Sequence, residues 1–191
     1  MTRLGPVVLI QVQRSALKQD GIGYDPSPLL QVEEAAVGPH GLVGLHDGGW
    51  VLDVHGALHP KARGGGRRAL SMGFTSHYHL MEQRFGGPAL GAAGENLIVA
   101  TERRVVPDDL AGGVVVETTR GPVEFPAPRP AAPCREFTSY LLGFDAVAPR
   151  SEIAPDLEFL EGGMRGFLLA VDHLRGWHRL RVGDEVWARP A

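Results

Sequence analysis

The sequence predicts a mainly β protein, built either as a sandwich or as a closed barrel. Glycine and proline account for 26 and 15 of the 191 residues, and they are scattered without a period, which indicates frequent turns rather than disorder. Between the turns lie short runs, rich in valine and leucine, that have the length of strands. Many short strands separated by turn signals are typical of sandwiches and barrels. The predicted strands are residues 7–12, 42–45, 50–54, 97–100, 114–118, 167–171, 180–182 and 185–188.

Helices are predicted at two places. The clearer one covers residues 74–85, where Thr75 or Ser76 can cap the start and Gly86 follows the end. Apolar side chains recur on one face of it, at Tyr78, Met81 and Phe85. The second helix begins at Cys134, followed by apolar side chains at helical spacing, which are Phe137, Tyr140, Leu141 and Phe144.

The composition predicts one soluble domain over residues 1–191. Hydrophobic residues make 43% of the chain and charged residues 21%, which is ordinary for a globular protein with a core. The net charge of −3 provides no field that would draw the chain to nucleic acid or to an anionic membrane, so neither is expected as a partner. The apolar run Val7–Ile10 is too short for a signal peptide or a membrane span. A single cysteine excludes an intrachain disulfide and fits a reducing compartment, so we expect a cytoplasmic protein.

Cys134, the only cysteine, is the first candidate for chemistry. At the start of a helix, unpaired backbone amides and the positive end of the helix dipole would stabilise a thiolate. Cysteines so placed act as nucleophiles or metal ligands. The alternative is a buried, unreactive cysteine, since this residue type is among the most often buried. The local sequence leaves both interpretations open.

Two segments combine arginine with glycine, as anion-binding loops do. Residues 61–68 carry four cations and a triple glycine, and they are either a solvated loop or an anion clamp of backbone amides and guanidinium groups. Arg165 stands among glycines in residues 162–166. The histidines form no metal motif, because His77 and His79 would point about 200° apart on a helix and no Cys-x-x-Cys or His-Glu-x-x-His spacing occurs.

The order of several motifs resembles that of MOSC domains, which are homologous to the C-terminal part of molybdenum cofactor sulfurase. The motifs are Gly94-Glu95-Asn96-Leu97, then Pro133-Cys134, then Gly163-Met164-Arg165-Gly166, and finally Val182-Gly183-Asp184-Glu185-Val186. Upstream, Arg68-Ala69-Leu70-Ser71 and the helix after it are similar to the family's arginine-containing strand and helix. The resemblance covers residues 41–188.

The resemblance implies a closed β-barrel decorated with a few short helices and a pocket for the molybdenum cofactor. By this resemblance Cys134 is the residue that ligates molybdenum or carries sulfur. Arg68, Arg129 and Arg165 take the places of basic residues suited to the pterin phosphate, and Glu95 and Asn96 match the turn near the pocket. The family's early Gly-Asp-x-His element is not intact, because the segments that end in His46 and His59 both lack the aspartate. Two alanines also separate Arg129-Pro130 from the Pro133-Cys134 pair.

Three functions follow from the resemblance. The first is a molybdenum-cofactor oxidoreductase that reduces N-hydroxylated compounds. It would need a separate electron donor, since no flavin or iron–sulfur module is present in the sequence. The second is a sulfur carrier that holds a persulfide on Cys134 and receives it from a cysteine desulfurase-like donor. The third is a non-catalytic domain with a buried, unreactive Cys134.

Overall fold

The computed structural model describes residues 1–19, 21–62 and 68–191. The centre of the predicted anion clamp, residues 63–67, lies outside the described residues. The strands are β1 (Thr2–Gln13), β2 (Lys18–Gln19), β3 (Gly23–Tyr24), β4 (Leu29–Val32), β5 (Glu34–Gly38), β6 (Gly41–His46), β7 (Gly49–Leu52), β8 (Leu70–Phe74), β9 (Leu97–Val99), β10 (Val114–Thr118), β11 (Gly121–Phe125), β12 (Arg129–Pro130), β13 (Phe167–Leu169), β14 (His178–Arg181) and β15 (Glu185–Ala188). The helices are α1 (Thr75–Phe85), α2 (Arg135–Leu141) and α3 (Ala154–Phe159), with a short 3-10 helix at Pro107–Leu110.

The largest sheet has nine strands in the order β11-β10-β15-β1-β9-β8-β13-β12, with β4 added beside β1. It is strongly curled into a half-barrel, but within the described residues its edge strands β11 and β12 do not pair with each other. The mainly β class with few helices is therefore confirmed, whereas the predicted closed barrel is wrong. Both edge strands contain a proline, Pro122 and Pro130, which has no N–H to offer a further strand.

Strand β1 is the element that links the sheet to the functional site. Its first half pairs with β15 and its second half with β4, while β9 pairs along its other edge. Near its end the side chains of Gln11 and Gln13 are only 1% and 7% exposed. Buried side-chain amides need hydrogen-bond partners, and these are supplied by the turn that precedes β9.

Both faces of the curled sheet are covered at β9, which explains why all three residues of this strand are apolar and buried. In β9, Leu97 and Val99 enter the main core, while Ile98 points to the opposite face. A second sheet, of order β14-β5-β6-β7, contributes to the main core. The helices α1 and α2 cover the other face and pack around Ile98.

Helix α1 confirms the predicted helix and corrects its predicted cap. The residue before the helix is Phe74, in an extended conformation, and no side chain caps the first turn. The Thr75 hydroxyl instead donates to the Thr101 carbonyl, 3.1 Å away, and Ser76 bonds the Thr101 hydroxyl. The helix ends at Gly86, whose φ of 77° is the left-handed conformation that glycine adopts at no steric cost.

Helix α2 begins one residue after Cys134, close to where the sequence predicts it. Cys134 is the residue before the first helical turn, and its side chain makes no capping bond. Of the described helices, none combines the length and the apolar character needed to cross a membrane.

His77 predicts acid-sensitive stability. It is 1% exposed, and its Nε2 bonds the backbone of Val105, whereas its Nδ1 is buried without a partner. Burial lowers the pKa of His77 from 6.5 to about 4. Above pH 6.5 the ring is neutral whether the chain is folded or not. As the pH falls from 6.5 to 4, the unfolded chain binds a proton that the folded chain does not, so stability is lost by an amount on the order of 3 kcal/mol.

Urea unfolding between pH 4 and pH 7.5 checks this expectation. Burial raises the pKa of Glu95 from 4.5 to about 7, so its titration changes the stability over the same pH range in the opposite direction. The informative quantity is therefore the difference in the pH dependence of stability between the wild type and His77→Gln. We expect the variant to lose stability at pH 7.5 but to lose less of it on acidification. The exposed His79→Gln is the control and should follow the wild type. Equal slopes for wild type and His77→Gln would contradict the assignment.

Candidate functional site

A cavity of about 460 Å³ opens between the end of β1, the turn before β9 and the segment that leads into α2. This volume is in the range of small-molecule sites. Its walls include side chains from distant parts of the sequence, among them Lys18, His55, Arg68, Glu95, Cys134 and Arg165. Three of these are cations, so the cavity suits a ligand that carries negative charge.

The Gly-Glu-Asn turn is held in place by hydrogen bonds from two glutamine side chains of β1. The Gln11 side-chain amide donates to the carbonyls of Gly91 and Glu95, both at 2.7 Å, and the Gln13 amide donates to the Gly94 carbonyl at 2.8 Å. Gly94 has φ 90°, and a Cβ there would lie 2.8 Å from the Gln13 amide nitrogen. Only glycine combines this backbone conformation with so close an approach.

The turn buries the carboxyl group of Glu95 at the cavity wall. Glu95 is 2% exposed and its Oε2 accepts a 2.6 Å bond from the Tyr78 hydroxyl, whereas its Oε1 is buried and has no partner among the described residues. Two glycines make room for it, because a Cβ on Gly73 or on Gly166 would come within 2.7 Å of the Glu95 side chain. The sequence thus places one glycine on β8 and one directly before β13, on either side of one buried acid.

Burial raises the pKa of Glu95 from 4.5 to about 7, although the Tyr78 hydroxyl and the Arg165 charge both lower it. The carboxyl group is therefore partly protonated near neutral pH, when its proton can be donated to a neighbouring group. An acid kept neutral by burial is a common feature of functional sites.

Cys134 lies half-buried at the cavity, and Arg165 holds its sulfur. The Arg165 Nη1 atom lies 3.3 Å from the Cys134 Sγ and 3.2 Å from the Ala132 carbonyl, and Nη2 donates to the Ala93 carbonyl at 3.3 Å. The guanidinium group also lies over the ring of Phe137, 5.1 Å from its centroid. Burial by itself would lower the pKa of Arg165, but the charges that Cys134, Tyr24 and Glu95 can carry raise it. A permanent cation therefore stabilises negative charge on the sulfur.

Asp53, which comes directly after β7, connects the chain segments beneath the cavity through hydrogen bonds. It is completely buried, and its Oδ2 accepts bonds from the Gln13 backbone N–H at 2.8 Å and from the Asn96 amide at 2.9 Å. Asn96 in turn accepts from the backbone and the hydroxyl of Ser71, both at 3.0 Å. This network, formed by Gln13, Asp53, Ser71 and Asn96, joins four separate chain segments.

His55 reaches the cavity because Asp53 orients it. The Asp53 Oδ1 accepts the His55 backbone N–H at 2.8 Å and lies 3.1 Å from the ring Nδ1. A carboxylate that bonds the N–H two residues later forms an Asx turn. The His55 side chain is 35% exposed and forms part of the cavity wall.

The structure brings together four of the residues singled out in the sequence, Arg68, Glu95, Cys134 and Arg165, in the wall of one cavity. Asn96 lies beneath that wall, 1% exposed, and uses its side chain to support the network described above.

Three other candidates lie elsewhere, and none of them is part of the cavity wall. Arg129 is exposed on the edge strand β12. His46 lies on the exposed β6–β7 hairpin next to Asp47, and the His59 Nδ1 accepts the backbone N–H of Lys61. The histidine of the cavity is His55.

Five residues of the site were missed from the sequence, namely Gln13, Lys18, Tyr24, Asp53 and His55. A usable signal existed for two of them, since Asp53 lies at the end of the predicted strand 50–54 and His55 directly after it, where an aspartate favours an Asx turn. Tyr24 gave no such signal, because it comes from the short β2–β3 hairpin and donates to the Ala92 carbonyl at 2.8 Å.

Comparison with known proteins identifies the fold. No protein-family profile and no curated protein sequence matches the chain. Its structure is similar to the crystal structure of the YuaD protein from Bacillus subtilis, with a TM-score of 0.57 and 17% identity over 97% of this chain and 94% of that one. It is also similar to the crystal structure of a hypothetical protein, with a TM-score of 0.56 and 17% identity over 97% of this chain and 66% of that one. These likenesses concern the fold and support the MOSC-like fold that the sequence motifs predict.

Proposed function

We propose that this chain is a MOSC-type domain that binds the molybdenum cofactor, with Cys134 as the protein ligand of the metal. The observation that carries the proposal is the Cys134 thiol, which lies at a cavity of about 460 Å³ next to the Arg165 guanidinium group. A thiolate is a soft ligand, which soft metal centres select, and guanidinium and ammonium groups bind phosphate.

The residues of the cavity fit such a group. The Arg165 Nε and the Glu95 Oε1 are buried without partners in the described structure, so two polar atoms beside the cavity are free for a ligand. The terminal nitrogens of Arg165 are already engaged by Cys134, Ala132 and Ala93. We therefore assign Arg165 to the sulfur, and Arg68 and Lys18 to the phosphate of the pterin.

The metal would have one protein ligand under this proposal. In the part of the chain that the structure describes, no three His, Cys, Asp or Glu side chains come together as a metal site. When bound, the cofactor supplies two-electron redox chemistry, and the substrates we propose are N-hydroxylated compounds. The electrons would come from a separate reduced flavin or iron–sulfur protein.

A second candidate, a sulfur carrier, is favoured by the same contact between Arg165 and Cys134. A persulfide on Cys134 would be anionic, and the guanidinium group 3.3 Å from the sulfur would stabilise it. In that function the Cys134 thiolate takes the terminal sulfur of a persulfide on a cysteine desulfurase-like donor, and the donor leaves as a thiolate.

Purification after expression in molybdate-containing medium distinguishes the two functions. The cofactor proposal predicts close to one molybdenum per chain by elemental analysis, together with a pterin released on denaturation. The sulfur-carrier proposal predicts no bound molybdenum and, by mass spectrometry after incubation with a desulfurase and cysteine, the mass of one extra sulfur on Cys134. A protein that gained neither would contradict both.

A further inference from the structure

We propose that His55 is the acid–base residue of this cavity and that Asp53 is its positioning residue. The inference rests on the proposed function, because it assigns the group that delivers a proton to an N-hydroxylated substrate. No motif in the sequence singled out the pair formed by Asp53 and His55.

The first step is the charge state and role of Asp53. Three N–H groups donate to its two oxygens, from the backbone of Gln13 and His55 and from the side chain of Asn96. Both oxygens therefore act as acceptors, as in an ionised carboxylate. The network holds the carboxylate rigidly at the end of β7, since Asp53 is completely buried.

The second step is the tautomer of His55. The ring Nδ1 lies 3.1 Å from the Asp53 Oδ1, which can only accept, so Nδ1 carries hydrogen and donates. The nitrogen left to exchange protons is Nε2, and within the described residues it has no hydrogen-bond partner. An imidazole held by a carboxylate on one nitrogen, with the other nitrogen accessible to a ligand, is the arrangement of a general acid or base.

The third step is the surroundings of the ring. Besides Asp53, the titratable groups that share the cavity with His55 are Lys18, Arg68 and Arg165 as cations and Tyr24, Glu95 and Cys134 as acids. Glu95 is 2% exposed and is bonded to Tyr78, whereas the His55 side chain is 35% exposed. His55 can therefore recover its proton from solvent more readily than the buried acid can.

The proton has a defined role in the proposed reaction. Reduction of an N–OH group to N–H consumes two electrons and two protons and releases one water. The electrons come from the separate reduced flavin or iron–sulfur protein. As the N–O bond breaks, the imidazolium Nε2–H gives its proton to the departing oxygen, which leaves as water. The oxygen leaves with the N–O bonding pair, and the nitrogen receives the two electrons of the donor. The second proton reaches the nitrogen from solvent, and solvent also restores the proton on Nε2.

The tautomer is measurable without any cofactor. Nitrogen NMR of protein labelled with ¹⁵N-histidine should show one ring in the Nδ1–H form at alkaline pH, and this signal should be missing from His55→Gln. Glutamine can still donate to Asp53 but cannot carry the proton, so the fold should persist. A His55 ring in the Nε2–H form, or in a mixture of both forms, would overturn the inference.

The kinetic test uses molybdenum-loaded protein, hydroxylaminopurine as the substrate and a chemically reduced viologen as the electron donor. We expect His55→Gln to keep its molybdenum but to lose about 100-fold or more in kcat/KM. His79→Gln, an exposed histidine replaced in the same way, should match the wild type. An active wild type with an equally active His55→Gln would overturn the inference alone. A wild type that held no molybdenum and reduced nothing would overturn the proposed function and the inference with it.

Discussion

Replacing Cys134 with serine is expected to reduce the molybdenum content of the purified protein to background. Sulfur is the soft donor that the metal centre requires, and the harder, protonated hydroxyl of serine does not replace it at neutral pH. The fold should be retained, because the Cys134 side chain makes no capping bond and its only hydrogen bond in the described structure is the 3.3 Å contact with Arg165. The free energy of unfolding should change by less than about 1 kcal/mol.

Elemental analysis and thermal unfolding of the same preparations check both parts of this prediction. Tyr140→Phe is a suitable control, because Tyr140 lies on an exposed position of the same helix and outside the cavity wall. It should keep the wild-type metal content. Cys134→Ser with unchanged molybdenum would show that the metal, if present, is held by other groups.

Replacing Asp53 with alanine is expected to remove a large part of the stability of the protein, about 3–5 kcal/mol. The change leaves the N–H groups of Gln13 and His55 and the side-chain amide of Asn96 buried without their acceptor. Each such donor loses its bond and keeps its desolvation penalty. Small domains have only about 5–15 kcal/mol of stability in total, so the variant is expected to be partly unfolded at 37 °C.

Urea unfolding at pH 7.5 measures this loss. Asp172→Ala is the control, since Asp172 is exposed and its side chain makes no hydrogen bond in the described structure. Its free energy of unfolding should lie within about 0.5 kcal/mol of that of the wild type. An Asp53→Ala variant as stable as this control would mean that water replaces the carboxylate, and the network would then not be what holds the cavity floor.

The fold class could be predicted from the sequence because the relevant signals are local. The valine run Val114–Thr118 and the segment Glu185–Ala188 are strands with the predicted bounds. Strand β5 was missed, since Glu34–Gly38 contains two alanines and a glycine and only one residue, Val37, that favours strands. Closure of the sheet could not be predicted, because it depends on whether β11 and β12 meet, and these strands are distant in the sheet order.

The site could be predicted only where chemistry and local pattern coincided. Cys134 and Arg165 stood out by rarity and by glycine neighbours, and they are in contact. Asp53 did not stand out, because its partners Gln13 and Asn96 are 40 or more residues away, and the role of His55 depends on Asp53. Local sequence patterns do not reveal contacts between residues that are far apart in the sequence.

The network around Asp53 also has a consequence for how the protein matures. Its bonds join positions separated by 25, 40 and 43 residues, so they close large loops of chain. Contacts of such high sequence separation are slow to form. The thiol and its neighbouring cations should therefore come together late in folding, and a cofactor would be captured by a nearly finished protein rather than by the nascent chain.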